Sequence, residues 1–281
     1  MRRLSILVRS RTNAAQRRVS PLAVVALHGQ PGAPWVFAPV AARLRARGIA
    51  VDVPDRPGYG SSELPAMGIE GNSEWLRELI ATLPGQRAVV VAHSWAALPA
   101  LHAASEAPDA VAALVLLSPA GPTAVTTTDR LIARRGLGQV ITWPLAVPAS
   151  GRLDWLARPW LRMAVPRPDR KIARKALHDS PARGVMRSFL VEQKAMIDEL
   201  EVVSDAVGRI GVPCVVVVGT ADALIAPRSM LQLARSLPRC EVELLHGSGH
   251  SVQLHRPAEV AAIIERQAFA QESPAASNAP P

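Results

Sequence analysis

The sequence has few aromatic residues, few cysteines and no long apolar run, and these shortages exclude several classes of protein. Two cysteines in 281 residues, Cys214 and Cys240, cannot form the disulfide framework of a small secreted domain. Both lie in apolar, strand-like runs, so we expect buried free thiols. No apolar run reaches the roughly 18 residues that a membrane-spanning helix needs, so we expect no stable membrane insertion.

The sequence also lacks the motifs that accompany basic charge in nucleic-acid-binding proteins. The net charge is +9, with six arginines and no acid in residues 1–20, and 14 basic against seven acidic residues over 121–200. Zinc-ligand spacing, an aromatic ribonucleoprotein motif and a Gly-Lys-Ser/Thr loop are all missing. We therefore expect a solvated basic face and no nucleic-acid partner. Only four apolar residues separate Arg3 from Arg9, too few for a signal peptide, so a cytoplasmic location is expected.

Short apolar runs alternate with helical patterns along most of the chain, which is typical of βαβ units. Four of the six predicted strands are almost continuously apolar, as in strands covered by helices on both faces. The sequence thus predicts an α/β fold with a doubly wound, mainly parallel sheet. The predicted strands are 22–27, 49–53, 88–92, 111–117, 213–218 and 241–245, and the predicted helices are 35–47, 71–83, 95–106, 227–236 and 257–270.

This alternation breaks at residues 121–200, where helical spacing and seven prolines occur without a convincing strand. We predict a helical cap there, inserted into a core formed by residues 21–120 and 201–270. Residues 1–20 form a separate basic segment, and 271–281, rich in proline, alanine and serine, are predicted to be disordered.

Ser94 is a candidate nucleophile because a predicted strand ends at Ala92 and a helical pattern begins at about Trp95. A serine on such a sharp turn projects its hydroxyl above the sheet, next to a helix N-terminus that favours negative charge. The turn requires small residues two positions before and after the serine, and Ala92 and Ala96 meet this requirement. Taken alone the motif is weak, since a serine at a strand end is more often a cap.

His250 and Asp222 are the candidate base and acid. His250 follows the last predicted strand in a glycine-containing loop, and Asp222 follows the preceding strand. Both lie at the carboxyl ends of strands, where the active groups of a doubly wound sheet gather. His246 is a rival base, but it directly follows the strand and a structural role is favoured. The loop after strand 111–117 offers no acid, which favours Asp222 as the group that orients the imidazole.

The segment His28-Gly29-Gln30-Pro31-Gly32 follows the first predicted strand. Attack on a carbonyl creates an oxyanion, which needs preorganised donors. We predict that the backbone N–H groups of Gln30 and Trp95 are these donors.

In this order, the motifs resemble the α/β-hydrolase superfamily, and more closely its lid-bearing His-Gly-x-Pro-Gly branch of serine esterase-like enzymes. The segment Asp55-Arg56-Pro57-Gly58-Tyr59-Gly60-Ser61-Ser62 matches the Asp-x-x-Gly-x-Gly-x-Ser turn of that family. The resemblance covers about 20–120 and 205–270. Two departures stand out. Alanines replace the glycines that flank the serine, and His255 stands where relatives often have glutamate, a change we expect to act on the site only indirectly.

The resemblance implies a serine hydrolase that cleaves carboxylic esters or lactones through an acyl-enzyme. It implies neither a cofactor nor a metal, and the partner is a small-molecule substrate; a homodimer is compatible with the sequence. A carbon–carbon bond hydrolase of dienoates and a cofactor-free perhydrolase remain alternatives. A serine nucleophile disfavours epoxide hydrolases and haloalkane dehalogenases, whose relatives use aspartate.

The tryptophans suggest a small to medium, largely apolar substrate, although an equally good interpretation is that they anchor the cap to the sheet. The positive charge of the cap could instead steer anionic substrates. The candidate substrate-binding residues are Trp35, Trp143, Trp155 and Trp160.

Overall fold

A computed structural model of the chain describes residues 22–133 and 182–271. Its sheet consists of parallel strands in the order β2-β1-β3-β4-β5-β6. The order reverses between β1 and β3, and in open α/β sheets ligands bind in a crevice at the carboxyl ends of the strands on either side of such a reversal. The strands are β1 (Ala23–Leu27), β2 (Val51–Asp52), β3 (Ala88–His93), β4 (Val111–Leu117), β5 (Cys214–Gly219) and β6 (Cys240–Leu245).

Helices connect the strands and cover both faces of the sheet. Short 3₁₀ turns, Pro34–Phe37 and Ser94–Ala96, lead into α1 and α3. The described helices are α1 (Ala38–Arg45), α2 (Ile69–Ala81), α3 (Ala97–Glu106), α4 (Thr127–Ile132), α5 (Ala182–Asp198), α6 (Leu200–Val207), α7 (Pro227–Ser236), α8 (Val252–His255) and α9 (Pro257–Ala270).

Apolar strand residues fill two cores because successive side chains point to opposite faces of the sheet. Val89 and Val91 of β3 belong to the core against α1 and α9, and Val90 and Ala92 belong to the core against α2, α3, α6 and α7. All four side chains are fully buried. The double cover explains the continuous apolar runs, and it confirms the predicted doubly wound, parallel sheet.

The predicted elements outside 121–200 are present, with shifted ends in several cases. The predicted strand 49–53 is reduced to Val51–Asp52, and the predicted helix 35–47 begins as a 3₁₀ turn and ends at Arg45. β2 lies at the edge of the sheet and pairs with β1 through two residues only. By contrast, the strand 111–117 and the helices 227–236 and 257–270 have the predicted bounds.

The two cysteines are free thiols in neighbouring strands, but only one is fully buried. Burial raises the pKa of the Cys214 thiol to about 12, so it stays protonated in the core. The predicted burial of Cys240 was wrong: it is half-buried because β6 is an edge strand whose Val242 and Leu244 are exposed.

Two parts of the predicted cap, 121–133 and 182–200, lie within the described residues. They form α4 and α5, which pack against each other. The side chain of Gln193 in α5 donates to Asp129 of α4 over 3.3 Å. The definition of 121–200 as a cap stays a prediction. None of the helices in the described ranges is long and apolar enough to span a bilayer.

Candidate active site

Ser94 lies on a sharp turn at the end of β3. Its φ of +58° is a left-handed conformation that a residue with a side chain adopts at a cost, as expected where a strand turns directly into a helix. Ala92 and Ala96 are completely buried, so the small residues that replace the family's glycines accommodate this turn. The carbonyl of Ser94 accepts a hydrogen bond from the N–H of Ala120, which follows β4.

Hydrogen bonds join Ser94, His250 and Asp222 in one line. The Oγ of Ser94 is 3.0 Å from Nε2 of His250, and Nδ1 of His250 is 2.8 Å from Oδ2 of Asp222. An ionised carboxylate only accepts hydrogen bonds, so Nδ1 carries the proton and Nε2 is free to accept from the serine. All three residues are buried at the carboxyl edge of the sheet. The arrangement brings a hydroxyl, a base and an acid into contact, as the sequence predicts.

Asp222 is held in its ionised form by donors on both oxygens. Its Oδ1 accepts from the N–H groups of Leu224, at 2.8 Å, and Ile225, at 3.0 Å. Burial raises the pKa of Asp222. The hydrogen bond from His250, the charge of the imidazole and these two N–H groups together have a larger effect in the opposite direction, so the pKa lies below its usual value. The carboxylate is therefore charged at neutral pH.

The loop after β1 packs directly against Ser94. A Cβ at Gly29 would lie 2.9 Å from Cβ of Ser94, and a Cβ at Gly32 would lie 2.5 Å from the carbonyl oxygen of Gly29. Both positions therefore need glycine for close approach. The N–H of Gln30 has no hydrogen-bond partner in the described part of the chain. The N–H of Trp95 lies in the first helical turn, where N–H groups have no acceptor within the helix.

His93, immediately before Ser94, is a buried histidine for which the sequence predicted no role. Its Nε2 lies 3.2 Å from the carbonyl oxygen of His250, and the two rings lie 4.8 Å apart. Burial, followed by the nearby His250, lowers the pKa of His93 to about 3. The ring is therefore neutral, and its Nε2–H can donate to the backbone of the candidate base.

The other histidines near this edge take different places. His246 is exposed at the end of β6, and the structural role favoured for it stays a prediction. Nδ1 of His255 accepts from the N–H of Gly249 over 2.9 Å, so it holds the loop immediately before His250. This contact fits the expected indirect action of His255.

The predicted substrate-binding tryptophans remain untested as binding residues. Trp35 is half-buried in the 3₁₀ turn after the His28–Gly32 loop. Trp143, Trp155 and Trp160 lie outside the described residues. The indole of Trp95 is buried, and its Nε1 donates to the backbone carbonyl of Glu192 over 3.2 Å.

Next to the loop after β1 lies a buried charged cluster that was not predicted from the sequence. The guanidinium of Arg56 forms an ion pair with Glu192 of α5, and both side chains are fully buried. The hydroxyl of Tyr59 donates to Glu192 over 2.6 Å. Burial raises the pKa of Tyr59 well above its usual value, with Glu192 adding to the effect, so the phenol keeps its proton. Arg56 also stacks over the Tyr59 and Trp95 rings, 4.9 Å from each centroid.

One signal in the sequence could have pointed to this cluster. Arg56 lies within the recognised Asp-x-x-Gly-x-Gly-x-Ser turn, and a buried arginine requires an acid nearby. Glu192 had no such signal, because it lies 136 residues further along in a helical pattern. Among the described residues, no group of histidine, cysteine and acidic side chains has the arrangement of a metal site.

The comparisons with known proteins agree with this architecture. The chain matches the model of the alpha/beta hydrolase family over residues 24–263, most of its length, and it belongs to that family. Membership in the narrower His-Gly-x-Pro-Gly branch stays a prediction.

Two similar proteins have names that state an activity. The chain is 30% identical over 259 residues to a pimeloyl-[acyl-carrier protein] methyl ester esterase of Aromatoleum aromaticum, covering 86% of this chain and 96% of that protein. It is 29% identical over 221 residues to lipase LipV of Mycobacterium tuberculosis, covering 77% and 82%. Among solved structures, a malate-bound thermophilic esterase from Thermogutta terrifontis superimposes with a TM-score of 0.74, covering 91% of this chain and 92% of that one. At 19% identity, this last similarity concerns the fold alone.

Proposed function

We propose that this α/β hydrolase is a serine esterase that cleaves carboxylic ester or lactone bonds through an acyl-enzyme on Ser94. The observation that carries the proposal is the continuous hydrogen-bonded line from Ser94 through His250 to Asp222. The names of the two similar proteins, an esterase and a lipase, support ester bonds as the substrate class.

In the first half of the reaction, Oγ of Ser94 attacks the acyl carbonyl carbon while Nε2 of His250 takes the hydroxyl proton. Asp222 holds the opposite nitrogen, so the imidazolium forms next to a charged carboxylate. The carbonyl oxygen becomes an oxyanion, and the N–H groups of Gln30 and Trp95 are its proposed donors. The intermediate then expels the alcohol, which receives the proton from His250, and the acyl group stays on the serine.

In the second half, water replaces the alcohol. His250 takes a proton from the water, whose oxygen attacks the acyl carbon and forms a second oxyanion at the same donors. Breakage of the bond to Oγ releases the carboxylic acid, and His250 returns the proton to Ser94. Each group thus resumes its starting state.

We further propose that residues 121–200 cap this site and bind the substrate. Two contacts support a cap: Gln193 of α5 accepts from the side chain of Gln30 over 2.8 Å, and Glu192 accepts from Trp95. Both partners belong to the proposed oxyanion site, so the described end of the inserted segment touches the edge of the crevice. A small to medium, largely apolar substrate, in contact with Trp35 and the cap tryptophans, remains the expectation.

The test compares the unmodified protein with Ser94→Ala in fluorophosphonate labelling and in ester turnover. The purified protein is incubated with a fluorophosphonate probe and with p-nitrophenyl esters of increasing chain length beside a lactone panel. We expect one labelled serine and measurable ester turnover, both lost in Ser94→Ala and both kept in Ser204→Ala, which removes an exposed hydroxyl from α6. Labelling that persists in Ser94→Ala would assign the nucleophile elsewhere. Turnover of a dienoate without any ester hydrolysis would favour the carbon–carbon hydrolase.

A further inference from the structure

The orientation of the proposed oxyanion donor at Gln30 is fixed by the opposite end of its own peptide unit. The peptide between Gly29 and Gln30 is trans, so the carbonyl of Gly29 and the N–H of Gln30 point in opposite directions within one rigid plane. Any group that holds the Gly29 oxygen therefore aims the Gln30 N–H. Since Gly29 packs directly on Ser94, a small rotation of this plane would move the donor away from the developing charge.

Two buried donors hold that carbonyl oxygen. Nη2 of Arg56 donates to the Gly29 oxygen over 3.0 Å, and Nδ1 of His28 lies 2.9 Å from the same atom. The N–H of Arg56 donates to Nε2 of His28 over 3.3 Å, so Nε2 is the acceptor and the ring proton is on Nδ1. Nε of Arg56 also donates to the His28 carbonyl over 2.7 Å. The guanidinium thus binds two consecutive carbonyls of the loop.

The guanidinium of Arg56 is in turn held in place by Glu192 of α5 and by neighbouring side chains. Both terminal nitrogens of Arg56 donate to the carboxylate of Glu192 in α5, and Nη1 also donates to Asn72 over 3.2 Å. The rings of Tyr59 and Trp95 lie on the guanidinium. With every neighbour in place, Arg56 has no freedom to turn away from the loop.

We propose that Arg56 is a positioning residue for the oxyanion site: it holds the Gly29 carbonyl and aims the N–H of Gln30 at the reacting carbonyl oxygen, while Glu192 is the counter-ion that stabilises its buried charge. The inference rests on the proposed esterase function. The positive charge of Arg56, next to the Gly29 oxygen, also polarises the peptide unit, which makes the N–H of Gln30 a stronger donor.

The test compares two substitutions that break the same ion pair. Arg56→Met removes the bonds to the loop, whereas Glu192→Gln leaves Arg56 able to donate to the Gly29 oxygen. Both should lower the melting temperature, because each leaves one buried charge without its counter-ion. Only Arg56→Met should lower kcat for p-nitrophenyl butyrate strongly, by about 10- to 100-fold, less than the outright loss of an oxyanion donor, with little change in KM.

A double variant separates positioning from stability. Arg56→Met combined with Glu192→Gln removes both charges while the amide can still accept from Tyr59, so the melting temperature should recover while kcat stays low. Phenylboronic acid, whose adduct with the serine places an oxygen in the oxyanion site, should bind the double variant more weakly by the same factor as kcat/KM falls. Arg56→Lys keeps the charge without the fork and should be intermediate.

Two results would overturn the inference. Recovery of both melting temperature and kcat in the double variant would make Arg56 purely structural, and so would equal losses of kcat in Arg56→Met and Glu192→Gln. Failure of the proposed function itself has a different signature: the unmodified protein would show no fluorophosphonate labelling at Ser94. If Arg56→Met does not fold, the double variant and Arg56→Lys still give the comparison.

Discussion

Asp222 combines two tasks in one carboxylate. One oxygen accepts from the N–H groups of Leu224 and Ile225, which fixes the side chain, and the other faces His250. The carboxylate therefore fixes which imidazole nitrogen carries the proton before any substrate arrives. An amide at this position would donate through its NH₂ group and could reverse the ring's protonation, which leaves no acceptor for the proton of Ser94.

Asp222→Asn should accordingly reduce ester turnover by roughly 10⁴, as expected when the tautomer of a catalytic histidine is wrong. The measurement is kcat/KM for a p-nitrophenyl ester. Asp205→Asn makes the same chemical change on the exposed surface of α6 and should leave turnover unaltered. A loss of only a few-fold in Asp222→Asn would mean that another group orients His250.

At the scale of elements, the site depends on the close approach of two loops at the point where the strand order reverses. The loop after β1 and the turn after β3 meet so closely that Gly29 has no room for a side chain. Its backbone has an ordinary φ, so the constraint is space alone. A substitution at Gly29 therefore tests how closely the loop after β1 must pack against Ser94 for activity.

We expect Gly29→Ala to lower kcat by about 10², the order of loss associated with a displacement near 1 Å in an active site. The added Cβ would lie 2.9 Å from Cβ of Ser94 and 3.1 Å from the carbonyl oxygen of His93, so the loop must move. Gly211→Ala adds the same methyl group to open space and serves as the control. Full activity in Gly29→Ala would show that the crevice tolerates a wider separation of the two loops.

The elements could be predicted from the sequence because most of their signals are local. The apolar runs of β3 and β4 and the proline at the start of α7 mark those elements directly. Ser94, Asp222 and His250 follow because parallel strands bring their carboxyl ends to one edge. The pairing of Arg56 with Glu192 could not be predicted, since it depends on how α5 docks on the sheet, and residue spacing carries no information about that docking.

At the scale of the whole molecule, stability depends on pH through two buried histidines of the described residues, His28 and His93, whose pKa values are lowered. Burial lowers the pKa of His28 well below its ordinary value, with the charge of Arg56 adding to the effect, and the pKa of His93 is lowered to about 3. In the unfolded chain both histidines would have a pKa of about 6.5. As the pH falls below this value, the two histidines bind protons in the unfolded chain but stay neutral in the folded chain. The free energy of unfolding therefore decreases.

Urea unfolding between pH 7.5 and 5.0 measures this effect. Below about pH 6.5, each of the two histidines should reduce the free energy of unfolding by up to about 1.4 kcal/mol per pH unit, and above that value neither should contribute. In His93→Asn, the decrease in the free energy of unfolding per pH unit should be smaller by the contribution of one histidine. An identical slope in His93→Asn and the unmodified protein would mean that His93 accepts a proton in the folded state.

The ion pair between Arg56 and Glu192 has a consequence for recombination among homologues. Glu192 lies in the predicted cap, residues 121–200, and Arg56 lies in the predicted core, so exchanging the cap alone would separate the two partners of one buried ion pair. A chimera whose cap lacked an acid at this position would leave the Arg56 guanidinium buried without a counter-ion. A cap exchange in this chain should therefore give a stable protein only when the new segment carries an acid that pairs with Arg56.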